Sequence, residues 1–241
     1  MLRLSEISII GSKNALERIP EGKLLINTIN AHSFNVAQKD ELFADALRNG
    51  DYLIPDGTSI IKACKFLKAK SQPQERIAGW DLFVLEMERL ENRSQKGNRL
   101  LKVMFMGSSE KVLSLIREKA AVDYPHLEVI TYSPPYKPEF SQEDNDAIIK
   151  AINDANPDLL WIGMTAPKQE KWIYANRENL SAKVAMGLGG CLDVYAGNVK
   201  RAPDIFIKLG LEWLYRLIKE PKRFFRMLAL PKFMIKVIAH K

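Results

Sequence analysis

The chain has 241 residues, 46% of them hydrophobic, enough for one large core or two closely joined lobes, with no fixed-period repeat and no enrichment in its 13 glycines and 12 prolines. Two cysteines, Cys64 and Cys191, exclude a disulfide framework and are expected to be small buried hydrophobes, and three scattered histidines, His32, His126 and His240, match no metal-ligand spacing. The net charge of +7 is confined to the end of the chain: residues 199–241 carry 11 Lys/Arg against 3 Asp/Glu, leaving 25 basic and 26 acidic residues elsewhere, so the tail is the part expected to meet a polyanion.

Apolar strand-like runs alternate with amphipathic helical stretches along the chain. "LLINTIN" (24–30) reads as a strand, and "NVAQKDELFADALRNG" (35–50) as one helix stopped by Gly50. "YLIP" (52–55) is a second strand, followed by a helix over 58–69, and 79–97 forms another helix. The buried strand 100–108 precedes a helix over 109–125, then the strand 127–133 and a helix over 141–157 whose acidic first turn suits the helix dipole. "DLLWIGM" (158–164) is a strand, 167–179 a helix, and "KVAMGLGG" (183–190) a strand running into glycines. From about Pro203 the chain becomes helical, aromatic and basic, divided by Pro221 and Pro231. The expected organisation is a core over 1–200 and a helical appendage over 201–241.

This alternation predicts a mostly parallel sheet covered by helices on both faces. In such sheets ligands bind outside the carboxyl ends of the strands. Four clusters follow predicted strands and should converge there: Asp56, Gly107-Ser108-Ser109, residues 165–169, and the stretch from Gly187 to Asp193. Pro55-Asp56-Gly57 by itself favours a turn with a helix-capping aspartate, while its strand-end position raises the alternative, a carboxylate presented as a general base. Thr28 and Asn30 suggest polar contacts to a ligand, or Asn30 or Ser33 begins the next helix. Ala166-Pro167-Lys168-Gln169-Glu170 opens a helix, either as an anion site with Lys168 or as an ordinary helix start. Gly187-Leu188-Gly189-Gly190 permits close backbone approach of a phosphate or sugar but lacks the third glycine of the dinucleotide fingerprint, since Leu192 stands there, which weakens a nucleotide-cofactor oxidoreductase. Asp144-Asn145-Asp146 spells a metal-binding Asp-x-Asp, yet its position in a helix's first turn assigns it to helix chemistry. Arg216, Lys219, Arg223 and Arg226 form a basic stripe if the helix is continuous, and with the tail's apolar residues suit an anionic lipid surface. A packed helix bundle with a solvated basic face is the plainer alternative; a non-enzymatic adaptor is another, and nucleic acid is the least favoured partner. No apolar run reaches the roughly 20 residues that span a bilayer, and Arg3 and Glu6 interrupt any leader, so a soluble or peripheral cytoplasmic protein is expected.

The stretches "TINAHSFNVAQKD", "IPDGTSII", "ERIAGWDL", "GMTAPKQEKWI", "GLGGCLDVYAGNVKRAP" and "GLEWLYRLIKEPKRFFRMLALPKF" together resemble the WecG/TagA/CpsF family of bacterial glycosyltransferases, over about 24–236. The resemblance implies a Rossmann-like α/β fold with a C-terminal membrane-binding appendage. It also implies an inverting transfer of a sugar from a UDP donor to a sugar on an undecaprenyl-diphosphate carrier, at the cytoplasmic membrane face, with no metal or other cofactor. Asp56 then matches the proposed catalytic base, Thr28 and Asn30 match substrate-pocket residues, and Gln169 lies in the matching Ala-Pro-Lys-Gln-Glu motif. Arg216, Arg223 and Arg226 match appendage arginines expected at the lipid diphosphate. On this reading Lys168, Arg76 and the tail arginines are candidates to stabilise the departing diphosphate. The loop "SPPYKPEFSQED" (133–144) departs from the family's Gly-Tyr-Phe-like stretch, which leaves the donated hexose or N-acetylhexosamine open. The apolar tail also suggests self-association away from lipid.

Overall fold

The computed structural model describes residues 2–20, 22–182, 184–203, 205–206, 212–219 and 228–239. Six parallel strands form one sheet: β1 (Leu24–Ile29), β2 (Tyr52–Pro55), β3 (Leu101–Gly107), β4 (Leu127–Tyr132), β5 (Leu159–Gly163) and β6 (Val184–Gly187), in the order β2-β1-β6-β5-β3-β4. The fold is a Rossmann-like α/β sheet with helices around it, as the strand–helix alternation predicts. Helices α1 (Lys13–Glu17), α2 (Ala31–Ala37), α3 (Glu41–Arg48), α4 (Thr58–Phe66) and α5 (Gly79–Gly97) belong to the first half. Helices α6 (Glu110–Asp123), α7 (Gln142–Ala155), α8 (Lys168–Asn176) and α9 (Cys191–Tyr195) belong to the second. Two further helices, Glu212–Lys219 and Ala229–Ala239, lie in the tail.

The central strands are apolar on both faces because both faces are buried. Val103, Phe105, Leu159 and Trp161 pack with Phe83, Met87, Ile116 and Tyr195 on one side. Met104, Met106, Leu160 and Ile162, alternating with them, pack with Ile148, Ile152 and Ile173 on the other. Trp161 is fully buried and its indole N–H meets the sulfur of Met87 at 3.3 Å.

The expected single helix over 35–50 is two helices. The first closes at Gln38 and Asp40 caps the second, its Oδ1 accepting the Phe43 N–H at 3.0 Å. Asn30 starts the first with a capping box, Oδ1 accepting the N–H groups of His32 and Ser33, both at 3.0 Å. The short α1 carries no strong sequence signal and is fixed by Ser12 capping and by Leu16 in the core.

The last helix is seated rather than loose. Phe233 and Val237, one turn apart, enter a core with Leu2, Leu4, Phe34, Phe43 and Ile60, and the rings of Phe34 and Phe233 meet edge-on at 5.2 Å. The Asn35 amide donates to the Ala229 carbonyl at 2.6 Å. Pro231 falls in this helix's first turn, where its missing N–H is harmless. Arg201, near the expected boundary, lies over the Trp80 ring at 5.3 Å and 4.0 Å from Asp81, so the "GNVKRAP" and "ERIAGWDL" stretches meet in space. Among the described residues no helix is long and apolar enough to cross a membrane.

Candidate active site

Because every strand is parallel, all six carboxyl ends open on one edge, and the strand-end clusters converge there. β2 ends at Pro55 beside Ile29 of β1, and the Asp56 N–H continues the ladder to the Ile29 carbonyl at 2.9 Å. Asp56 therefore stands level with Asn30. The next segment joins the same edge, the Ile77 N–H donating to the Pro55 carbonyl at 3.0 Å. That bond brings Arg76 to Asp56, with Nη2 3.4 Å from Oδ1 and both side chains about a quarter exposed. Gly57 occupies the cap position of α4 and offers no side-chain acceptor. The Asp56 carboxylate is thus aimed at a cation on the rim of the edge, a placement that suits a base reachable by substrate.

Thr28 pairs in register with Ile54 and lies on the same strand face as Ile26, one step nearer the edge. Asn30 does start α2, so its carbonyl oxygen is engaged in capping while the residue remains half-buried at the rim. Its capping role and its place beside Asp56 coexist.

On the neighbouring strands, β6 ends in the glycine stretch and α8 starts beneath it. Gln169 is buried; its Nε2 donates to Glu170 Oε1 at 2.9 Å, and its Oε1 accepts the Gly189 N–H at 3.1 Å. Gly187 has to lack a side chain, since a Cβ there would sit 2.5 Å from Gln169 Nε2. Gly189 takes φ +51°, in the left-handed region. Gly190 caps α9, and Asp193 lies in that helix's first turn. Gln169 holds the glycine turn from below rather than facing the open edge.

Lys168 is also committed. Its ammonium donates to the Lys137 carbonyl at 2.5 Å and lies 3.5 Å from the centre of the Phe140 ring. Desolvation lowers its pKa, opposed by nearby Asp144. Lys137 in turn binds Asp144 at 2.8 Å, and Asp144 Oδ2 accepts the Ser141 N–H at 2.9 Å. These bonds hold the Asp144 carboxyl down at about 2 and make Asp144 the helix-capping residue its position predicts. Lys168 thereby straps the 133–141 loop to the edge.

Two strapping residues, Phe140 and Lys137, lie outside the sequence-derived site, as does the buried Glu170; they sit far from Lys168 or read as helix-surface charges in the linear chain. Lys171 pairs with Asp40 at 2.9 Å. Cys64 is buried and its thiol is pushed up to about 11, as an inert core thiol should be, whereas Cys191 is half-buried at the start of α9. The helix Glu212–Lys219 contains Arg216, whose side chain lies outside the described residues, as do Arg223 and Arg226 entirely. Cavities of about 250 Å³ lie between α1, α5 and Arg201 and at the opposite, amino-terminal strand ends beside Asp51 and Arg177; neither is lined by Asp56.

The sequence model described as "Glycosyl transferase WecG/TagA/CpsF family" matches residues 3–241. A protein of Bacillus subtilis (strain 168) named N-acetylglucosaminyldiphosphoundecaprenol N-acetyl-beta-D-mannosaminyltransferase is 34% identical over 214 residues, covering 89% of this chain and 78% of the relative. The protein of the same name from Bacillus spizizenii is 33% identical, covering 85% and 75%. That of Staphylococcus aureus (strain MW2) is 31% identical, covering 90% and 81%.

Proposed function

The chain belongs to the glycosyl transferase WecG/TagA/CpsF family, and from that premise we propose that it moves an N-acetylmannosamine-like hexose from a UDP donor to N-acetylglucosamine on a polyprenyl-diphosphate carrier, with inversion at the anomeric carbon. The observation that carries the reading at the level of chemistry is the strand-edge carboxylate of Asp56 beside Arg76. The acceptor hydroxyl attacks the anomeric carbon, Asp56 takes its proton, and the bond to the diphosphate breaks with the electron pair leaving on UDP. Thr28 and Asn30 flank this position from β1 and orient the reacting sugar. The Gly187–Gly190 turn, with Asp193 beyond it, offers backbone to the donor, and Gln169 keeps that turn in place. Arg76, 3.4 Å from Asp56, is near enough to orient that carboxylate before substrate arrives and to meet the departing diphosphate afterwards. Lys168 acts on this reading through the loop it straps.

The tail supplies the membrane contact. Outside the seated pair Phe233 and Val237, the last helix exposes Met234, Ile235 and Ile238. Lys232, Lys236 and Lys39 lie together, and Lys236 has a pKa lowered first by desolvation and then by the two like charges. An apolar stripe flanked by lysines fits the surface of an anionic bilayer, which supports a peripheral enzyme working, on this reading, at the cytoplasmic face on a lipid-linked acceptor. Arg216, Arg223 and Arg226 are assigned to the acceptor's diphosphate by resemblance to the family. The division into a core over 1–200 and an appendage over 201–241 follows the same reading.

The test is product formation. Purified protein, a short-chain polyprenyl-diphosphate N-acetylglucosamine and a set of UDP-hexoses and UDP-N-acetylhexosamines are incubated, and the lipid-linked product is weighed by mass spectrometry. One added hexose or N-acetylhexosamine, formed only with acceptor present, is the expected result. No product from any pair, together with no rise in melting temperature on adding UDP, contradicts it.

A further inference from the structure

Glu170 is an unusual residue to bury. It is 3% exposed in the first turn of α8, desolvation raises its pKa, and among the described residues its Oε2 has no hydrogen-bond partner. A leucine of similar size would fill the space without an orphaned oxygen, so packing alone does not explain a carboxyl here. Its Oε1 does have a partner, the Nε2 of Gln169.

That contact decides which way Gln169 faces. An amide can be turned over with little change of shape, exchanging its oxygen and nitrogen. Here the Gly189 N–H is a donor and needs the oxygen, and Glu170 Oε1 is an acceptor and needs the NH2 group. The flipped amide would set donor against donor and acceptor against acceptor. Only one orientation satisfies both ends, and Glu170 adds its share to the cost that the Gly189 N–H already sets on the wrong one. The amide packs against Gly187, where a Cβ would lie 2.5 Å from Nε2, and reaches the left-handed turn at Gly189. The chain of contacts runs from Glu170 through Gln169 to the turn at the end of β6, which opens on the same edge as Asp56.

From this geometry we infer that Glu170 is a positioning residue for the donor: it acts through the Gln169 amide to fix the Gly187–Gly190 turn against which the sugar diphosphate binds. The last step rests on the transfer reading; the fixing of the turn does not.

Two readouts separate these parts. Amide hydrogen exchange of the 187–191 segment, measured on the full chain without substrate, reports the turn alone. Gln169→Leu and Glu170→Leu should each speed that exchange by about tenfold, the worth of one buried hydrogen bond. Glu170→Gln keeps an acceptor oxygen and should recover most of the loss. In transfer assays the Leu variants should raise the donor KM by about tenfold and change kcat by less than about threefold, as loss of binding common to ground and transition states requires. The double variant should be no worse than the worse single one, because both remove the same path. Wild-type exchange in Gln169→Leu overturns the inference, and so does a double variant whose effects multiply. If Glu170→Leu does not fold, exchange in Glu170→Gln decides: loss as large as in Gln169→Leu also overturns it. Faster exchange with an unchanged donor KM refutes the donor step while leaving the turn's support intact, and absence of transfer by the wild type refutes the function itself.

Discussion

Replacing Gly187 by alanine is expected to be the most damaging of the three possible substitutions in the glycine turn. The added Cβ would lie 2.5 Å from Gln169 Nε2, 2.8 Å from Cδ and 3.0 Å from Cγ, and this side chain is pinned at both ends. The methyl group cannot be admitted without moving the amide. Overpacking of this kind costs about 1–3 kcal/mol, and each of the two amide hydrogen bonds that must lengthen adds about 0.5–1.5 kcal/mol. Together these come to about 2–6 kcal/mol before any relaxation. Gly189→Ala meets only ordinary contacts, 3.7 Å from the Met164 carbonyl oxygen and 3.8 Å from Gln169 Oε1, but forces alanine into the left-handed region at φ +51°, worth about 1–2 kcal/mol. Gly190→Ala has nothing within 4 Å of the new carbon and an ordinary φ of −68°, so only the poorer helix cap remains, about 1 kcal/mol or less. Urea unfolding of the three variants should rank them 187, 189, 190 in order of decreasing loss. A Gly187→Ala protein within about 0.5 kcal/mol of wild type, the usual scatter of harmless changes, would refute the account of the amide under this strand end.

Three other outcomes follow from the same structure. Glu170 has its pKa raised from 4.5 by burial, so the folded chain holds this proton more tightly than the unfolded one, and wild-type stability falls as pH climbs above about 4.5 through the folded value. Glu170→Gln lacks that loss, so its melting temperature relative to wild type should rise with pH; a difference that stays flat from pH 4.5 to 8 contradicts a buried, neutral-preferring carboxyl. Phe233→Ala removes a fully buried ring from the core shared with Phe34 and Leu2 and should cost about 3–5 kcal/mol in urea unfolding, whereas a loss below about 1 kcal/mol would mean the last helix is not seated there. Ile235→Glu with Ile238→Glu alters only the exposed stripe; co-sedimentation with phosphatidylglycerol vesicles should weaken more than about tenfold at unchanged melting temperature, and undiminished binding would place the lipid contact elsewhere.

The sheet was legible in the sequence because parallel strands buried on both faces leave unbroken apolar runs, as in "VMFMG" and "LLWIG". Its order was not, since nothing local records that β6 inserts between β1 and β5. Asp56 and the glycine turn could be placed because parallel strands send every strand end to one edge. Asp40 splitting one expected helix in two was missed: its neighbours keep helical periodicity, and only capping geometry reveals the break. Gln169, Glu170 and Lys168 read as a polar first helical turn, which is ordinarily solvated. Their partners, Gly189, Phe140 and Lys137, come from other elements, so burial and strapping emerged only with the fold. The clasp of Arg201 on Trp80 and Asp81 is hidden for the same reason, although both stretches carry family resemblance.

The central claim, that Asp56 is the base of a sugar transfer at this edge, is tested most directly by acceptor-dependent UDP release from wild type and Asp56→Asn side by side, with melting temperatures measured to show that both are folded. Release by wild type and a loss of about 10²–10⁴-fold in the variant are expected, the range for removing a general base. Release by a folded Asp56→Asn protein at the wild-type rate would contradict it and return Asp56 to a turn residue held by Arg76.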